Sequence, residues 1–281
     1  MSSASMAGRI FLVTGASDGI GKHTALRLAQ TGATVLMHGR DTEKIYQAQR
    51  EIAQETGNKC LEVYTADLAS LQQVRELSEA IHSKHDHLDV LINNAGIHKP
   101  TWVQSHDGHE MTFAVNVLAP FLLTSLLMDL LRAGKASRIL HVSSITHAAL
   151  EEFKLRDLNY KQNYGDGLNT SYALSKTCEI MYTYKTAELL KGSGITVNCL
   201  DPGTVNTNML LKALGPIGMP IKDANFEYRA AIDPALDGVS GKYFVDDKET
   251  ESSAVSNDKD LQDKLWDILV KITGAVYPNQ N

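Results

Sequence analysis

The sequence predicts an α/β protein in which one doubly wound parallel sheet of about seven strands is flanked by helices in a single domain. Three observations carry this. Short apolar runs alternate with longer stretches of helical periodicity. Several of those runs end in glycine, asparagine or serine. A glycine-rich turn also separates the first run from the first helix.

Taken in order, the expected strands are 9–13, 34–38, 60–64, 88–92, 138–142, 195–200 and 241–245. Helices are expected at 20–30, 41–55, 71–84, 110–131, 170–190 and 260–272. Residues 9–273 form one domain, with a flexible N-terminus at 1–8 and a C-terminal tail at 274–281. The 208–232 stretch contains Gly215, Pro216, Gly218 and Pro220, so it reads as irregular chain with short helical pieces, suited to a lid over a pocket.

A hydrophobic fraction of 43% and a charged fraction of 21% fit a soluble globular protein with a sizeable core. A formal charge of −6 and a pI near 5.9 argue against a nucleic-acid partner. The longest apolar run, 117–131, is too short for a membrane span. No signal peptide is visible at residues 1–8. Cys60, Cys178 and Cys199 are too few and too scattered for a disulfide framework. A reducing, cytoplasmic location is expected. His98, His106 and His109 lack metal-ligand spacing and read as loop residues, and no metal is expected.

The candidate chemistry clusters at strand ends. Thr14 to Gly21 joins a strand to a helix, where glycine allows backbone to approach a pyrophosphate and the helix N-terminus offers unpaired N–H groups. Arg40 follows the second strand, where an arginine accepts a 2′-phosphate and an acid would reject one. Asp41 and Asp18 temper that preference, so NADP(H) is favoured with NAD(H) as the alternative. Asp67 either meets an adenine amino group or caps the next helix. Asn93-Asn94-Ala95-Gly96 ends the fourth strand, and Ser143-Ser144 the fifth. Asn116 lies in an apolar helix, where it needs partners or incurs about 1–3 kcal/mol, and a bend at Pro120 would supply them.

Tyr172 and Lys176 stand four apart in a helical segment, so their heads share one face. An exposed pair at that spacing contributes only about 0.2–0.5 kcal/mol. Lowering a phenol pKa by one pH unit needs about 1.4 kcal/mol. The pair is therefore an acid/base device only in a dry pocket, and otherwise a solvated helix face.

Glycine loop, Asn-Asn-Ala-Gly, strand-end serine, Tyr-x-x-x-Lys and Pro202-Gly203-Thr204 occur in this order. In this the chain resembles the short-chain dehydrogenase/reductase family over roughly 8–245. It is most similar to the retinol dehydrogenase-like branch, on the stretches 139–144, 189–195 and 240–244. The resemblance implies a Rossmann-type sheet and an NADP-dependent oxidoreductase acting on an apolar aldehyde, ketone or alcohol.

On the same resemblance, Tyr172 is the acid/base, Ser144 orients the substrate oxygen, and Lys176 and Asn116 form the proton relay. Gly15, Ser17, Gly19, Ile20 and Gly21 cradle the pyrophosphate, with Arg40 at the adenosine ribose. Asp67 and Leu68 border the adenine, and Asn94, Ala95 and Gly96 back a ribose. Pro202, Gly203, Thr204 and Thr207 flank the nicotinamide, while Tyr172 and Lys176 also touch the cofactor. The alternatives are a catalytically silent dinucleotide-binding regulator and, less favoured, a sugar-nucleotide epimerase. A homodimer is open, since the 107–131 and 172–190 helices could pair between subunits or face solvent. Three departures follow: the 28-residue interval from Ser144 to Tyr172 is longer than in ordinary single-domain members, the 203–240 stretch is short for the branch, and residues 1–8 do not read as the membrane-anchoring segment of many relatives, so a soluble form is expected.

Overall fold

The computed structural model describes residues 5–150, 152–159 and 171–278. The first four residues, most of the acidic stretch from Glu151 to Asn169, the expected helix start at Thr170 and the last three residues lie outside it.

The chain alternates β1 (Ile10–Val13), α1 (Gly19–Ala29), β2 (Thr34–Gly39), α2 (Thr42–Thr56), β3 (Leu61–Thr65), α3 (Leu71–His82) and β4 (Val90–Asn93). One broken helical stretch follows: α4 (Met111–Phe113), a π-helical turn (Ala114–Leu118), α5 (Ala119–Leu126) and α6 (Met128–Ala133). After it come β5 (Arg138–Val142), α7 (Ser171–Leu189), β6 (Thr196–Asp201), α8 (Asn208–Leu214), α9 (Phe226–Ile232), β7 (Tyr243–Val245), β8 (Lys248–Glu249), α10 (Ala254–Asn257) and α11 (Lys259–Thr273).

The sheet order is β3-β2-β1-β4-β5-β6-β7-β8. β1 to β7 pair in parallel, and β8 adds an antiparallel edge, one strand beyond the seven expected. The order reverses between β1 and β4, which opens a crevice at their carboxyl ends.

Alternation along the strands builds a core on each face. Ile10 and Leu12 join the core under α3, α5, α7 and α11, whereas Phe11 and Val13 join the one under α1, α2 and α9. Helix ends follow local chemistry. Asp41 caps α2 by accepting from Lys44 N at 3.1 Å, and Gly57 ends it with φ +69°.

Three expectations change. The region expected to be a lid divides: α8 starts at the crevice, but α9 is core, with Phe226, Glu227, Tyr228, Ala230 and Ala231 buried. Arg138 fastens it, its guanidinium donating to Ala230 O at 2.8 Å, Asp233 O at 2.7 Å and Asp237 at 2.6 Å. At the C-terminus, Tyr277 is buried against Phe121 and Trp266 and donates to Phe121 O at 2.7 Å, so the chain is packed to that point. At the N-terminus, Met6 is buried and its N–H donates to Thr31 O. No helix among the described residues is long and apolar enough to cross a membrane.

Candidate active site

A cleft of about 310 Å3 opens where the sheet order reverses. Its floor is the glycine turn. Gly15 (φ +70°) and Gly19 (φ +59°) adopt backbone that favours glycine. A Cβ on Gly21 would stand 2.3 Å from Asn94 Nδ2 and 2.5 Å from Gly15 O. Ser17 and Ile20 line the same floor. Asp18 caps α1, accepting from Gly19 N at 2.7 Å, and takes a second bond from Asn208 of α8 at 2.5 Å. The start of α8 is thereby tied to the turn.

His38, which the sequence did not single out, holds the turn from behind. Its Nε2 donates to Ala66 O at 3.0 Å and its Nδ1 accepts from Gly15 N at 3.4 Å. Burial lowers its pKa to about 4, so it is neutral and one ring nitrogen is free to accept. Asn94 Nδ2 donates to Thr14 O at 2.6 Å, and Ala95 N to Thr14 Oγ1 at 3.0 Å. The amide of Asn94 thus locks β4 to the turn, and Ala95 and Gly96 form the adjoining wall.

Arg40, Asp67 and Leu68 line the far end of the cleft. Asp67 folds onto Ala69 N at 3.0 Å, and it is Ser70 that caps α3. Asp41 is engaged as the cap of α2, and Arg40 remains the charged side chain on the cleft beside β2. Pro202 and Thr207 line the near end, whereas Gly203 and Thr204 do not. Gly203 (φ +80°) makes the turn after β6, and Thr204 is exposed.

Tyr172 and Lys176 enter this cleft from α7. Lys176 Nζ lies 5.3 Å from the centre of the Tyr172 ring, and His98 meets that ring edge-on at 5.8 Å. Nζ donates to Val142 O at 2.7 Å and to both carboxylate oxygens of Glu179, at 3.0 and 3.1 Å. Lys176 and Glu179 are 3% and 4% exposed at their side chains, so the pair is out of water. Burial is the largest influence on the ammonium pKa and lowers it, but Glu179, Tyr172 and Cys199 together raise it above the ordinary value. Burial raises the Glu179 carboxyl, and Lys176 pulls it back. Burial also raises the Tyr172 phenol; Lys176 opposes this, while Glu179 and Asp201 add to it. Glu179 escapes sequence reasoning because a carboxylate three residues past a lysine is ordinary on an exposed helix.

Asn116 is completely buried in the π-helical turn, where Ala119 N reaches back to Ala114 O. Its Oδ1 accepts from Ile97 N at 2.9 Å; its Nδ2 donates to Ile97 O and to Ser175 Oγ, each at 3.0 Å. The irregular turn precedes Pro120 and contains Asn116, the residue whose carbonyl a proline four positions on leaves without a helical donor. The Asn116 side chain finds its partners on Ile97 and Ser175. Ser144 lies two residues beyond β5 and caps a 3-10 turn (Ile145–Ala149), its Oγ accepting from Thr146 N at 3.3 Å. Asp201 steadies this corner by accepting from Ile145 N and from Gly203 N. It is Ser143, not Ser144, that lines the cleft, and Ser143 Oγ donates to Lys176 O at 2.9 Å.

A larger cavity, about 780 Å3, lies elsewhere, among Tyr184, Lys191, Lys242 and Lys259. Two of its lysines are spent on its own glutamates, Lys242 on Glu249 and Lys259 on Glu188, each at 2.6 Å, and Tyr172 is not among its walls. The smaller cleft combines a glycine turn, a helix N-terminus and a buried phenol–ammonium pair, which is the layout of a dinucleotide-dependent oxidoreductase.

The comparisons with known proteins agree. A family model described as short chain dehydrogenase matches residues 9–153. Mouse retinol dehydrogenase 13 is 36% identical over 97% of this chain and 86% of its own. Human polyprenol dehydrogenase is 36% identical over 95% and 86%. Among solved structures, an uncharacterised protein of Mycobacterium paratuberculosis superposes with a TM-score of 0.81 at 28% identity, covering 98% of this chain and 97% of that one. A short-chain dehydrogenase of Escherichia coli CFT073 complexed with NADPH gives 0.71 at 27% identity, over 87% and 99%.

The chain belongs to the short-chain dehydrogenase family, in its retinol dehydrogenase-like branch. It is an NAD(P)-dependent dehydrogenase acting on CH–OH groups.

Proposed function

We propose that this enzyme interconverts apolar aldehydes or ketones and their alcohols, of retinoid, lipid or xenobiotic type, in the cytoplasm. The observation that carries this is the convergence of Tyr172 and Lys176 on the cleft floored by the glycine turn. The apolar substrate class is supported by Met209, Leu211, Leu214, Ile217 and Met219, large side chains left exposed on the segment that begins at the cleft. The relatives named for retinol and polyprenol point the same way.

The residues present fit the dinucleotide. Gly15, Gly19 and Gly21 keep side chains off the turn, and α1 presents its N-terminus there. Gly15, Ser17, Gly19, Ile20 and Gly21 would hold the pyrophosphate, Arg40 the 2′-phosphate, and Asp67 and Leu68 the adenine. Asn94, Ala95, Gly96, Pro202 and Thr207 would border the ribose and nicotinamide, with Gly203 and Thr204 acting through the turn they form. When bound, the nicotinamide supplies or accepts a hydride.

The protein's part is position and proton. Tyr172 is the acid/base: its hydroxyl gives a proton to the carbonyl oxygen in reduction and takes it back in oxidation. Ser144 orients the same oxygen with a second hydrogen bond. Lys176 places positive charge beside the phenol, and Asn116 fixes the irregular turn next to it as part of the proton relay. Burial strengthens every charge that acts on the phenol, the Lys176 ammonium and the Glu179 carboxylate paired with it alike.

Tyr172→Phe is the test. It is expected to lose at least ~100-fold in kcat while NADPH, titrated by fluorescence, binds nearly as before. Retained turnover on a panel of aldehydes would reject the acid/base role.

A further inference from the structure

Glu179 is a buried carboxylate that the reaction outlined above does not use, and it is aimed at the side chain on which that reaction depends. An ammonium has three donors. On Lys176 they meet Val142 O at 2.7 Å and the two Glu179 oxygens at 3.0 and 3.1 Å. The two side chains are one helical turn apart on α7, and neither reaches water. The charge beside Tyr172 is therefore that of an ion pair, not of a bare ammonium.

From this geometry we propose that Glu179 is a positioning residue which neutralises Lys176 behind Tyr172, keeping the phenol protonated and setting the enzyme toward carbonyl reduction. The inference rests on the acid/base role given to Tyr172. A lone ammonium would favour the phenolate, the form that removes a proton from an alcohol. A carboxylate at hydrogen-bond distance from that ammonium cancels much of its field and favours the phenol, the form that donates to a carbonyl. Glu179 itself forms and breaks no covalent bond in this role; it only biases which proton state of Tyr172 is populated.

The other groups facing the pair leave this bias in place. His141, from β5, is lowered to about 3 by burial and by Lys176, so it is neutral. Cys199 from β6, and Cys178 and Tyr182 on α7 itself, are all raised by burial and stay protonated. Asp201 from β6 is the second carboxylate acting on Tyr172, but it is occupied by the N–H groups of Ile145 and Gly203. Glu227 from α9 feels Lys176, and burial raises it to about 8. Glu179 alone among these anions touches the ammonium.

Ionisation of Tyr172 can be read without any substrate, as the ultraviolet difference titration of the chain against its Tyr172→Phe form. In a Glu179→Gln background the phenol midpoint is expected to fall by about one pH unit. Thermal melts run in parallel confirm that the variant is folded. The pH profile of kcat/KM for alcohol oxidation should move to lower pH by the same amount, and carbonyl reduction should fail at correspondingly lower pH. Glu179→Asp, which restores the charge, should bring the midpoint back toward the starting value. Glu179→Asn gives a second uncharged side chain should the glutamine variant not fold. A midpoint that stays put or rises in the uncharged variants overturns the proposal. If no form of the enzyme turns over carbonyls or alcohols, the functional reading fails, while the phenol titration still decides for or against Glu179.

Discussion

Asn116 Nδ2 donates to Ser175 Oγ at 3.0 Å, which joins the π-helical turn after α4 to the helix that carries Tyr172 and Lys176. Ser175 in turn donates to Tyr172 O at 2.7 Å, and Asn116 also spans both backbone groups of Ile97. One buried amide therefore sets the cleft wall, the turn and the acid/base helix relative to one another.

Asn116→Ala should accordingly cost more than its hydrogen bonds. It leaves the N–H and C=O of Ile97 without these partners, at about 1–3 kcal/mol for a buried group left unsatisfied, which a denaturant midpoint will register. Turnover should drop at least ~10-fold because the acid/base helix loses its lateral support. NADPH affinity should change less, since the glycine turn is held separately by His38 and Asn94. Comparable losses in kcat and in cofactor affinity would argue against this division.

Gly21→Ala strikes that other support. Its Cβ would displace the Asn94 amide from Thr14 O or push the turn away at Gly15 O. Both contacts shape the floor of the cleft. We expect NADPH affinity to fall more than ~10-fold, with a lower melting temperature, because overpacking at a backbone contact has no easy relaxation. Fluorescence titration and a thermal melt check the two parts.

Most of the fold is legible in the sequence because short apolar runs, buried along their whole length in β1, β4, β5 and β6, end in turn residues and alternate with helical periodicity, as a parallel sheet covered on both faces requires. β8 is not, because Lys248 and Glu249 form two exposed edge residues with no apolar signature. The broken helix reads as continuous because a π-turn shifts hydrogen-bond partners without changing composition, and Pro120 hints at an irregularity without saying that it is a π-turn at Ala114–Leu118. α9 reads as part of a lid because Gly215, Pro216, Gly218 and Pro220 precede it, whereas its burial depends on Arg138, far away in sequence. Within the site, the glycine turn, Tyr172 and Lys176 announce themselves by spacing. His38 and Glu179 do not, since each matters only through a partner that folding brings near.

Arg40 gives a cofactor prediction, toward NADP(H), that Asp41 and Asp18 temper in the sequence. With Asp41 engaged by Lys44 N as the cap of α2, the acid that could have received a ribose hydroxyl is already bonded. Arg40→Ala should weaken NADPH by about 10- to 100-fold, the worth of a charge-assisted hydrogen bond of about 1.5–3 kcal/mol, and leave NADH almost unchanged. Equal losses for the two cofactors in parallel titrations would remove Arg40 from the 2′-phosphate.

Glu227 predicts a pH-dependent stability unrelated to turnover. It is fully buried on α9, with Oε2 accepting from Thr24 Oγ1 at 3.1 Å and Oε1 lacking any partner among the described residues. Burial raises its carboxyl from an ordinary 4.5 to about 8, against the pull of Thr24 and Lys176. The folded chain thus keeps a proton that the unfolded chain releases, so the stabilisation is complete below about pH 4.5 and fades as pH rises to about 8. Glu227→Gln keeps the shape and needs no proton. The variant should melt close to the parent at pH 5 and above it at pH 8.5, by several degrees. A tenfold change in proton affinity corresponds to about 1.4 kcal/mol, and each kcal/mol to about 2–4 °C in a chain of this size. A melting difference that is the same at both pH values would mean that Glu227 does not carry the buried proton.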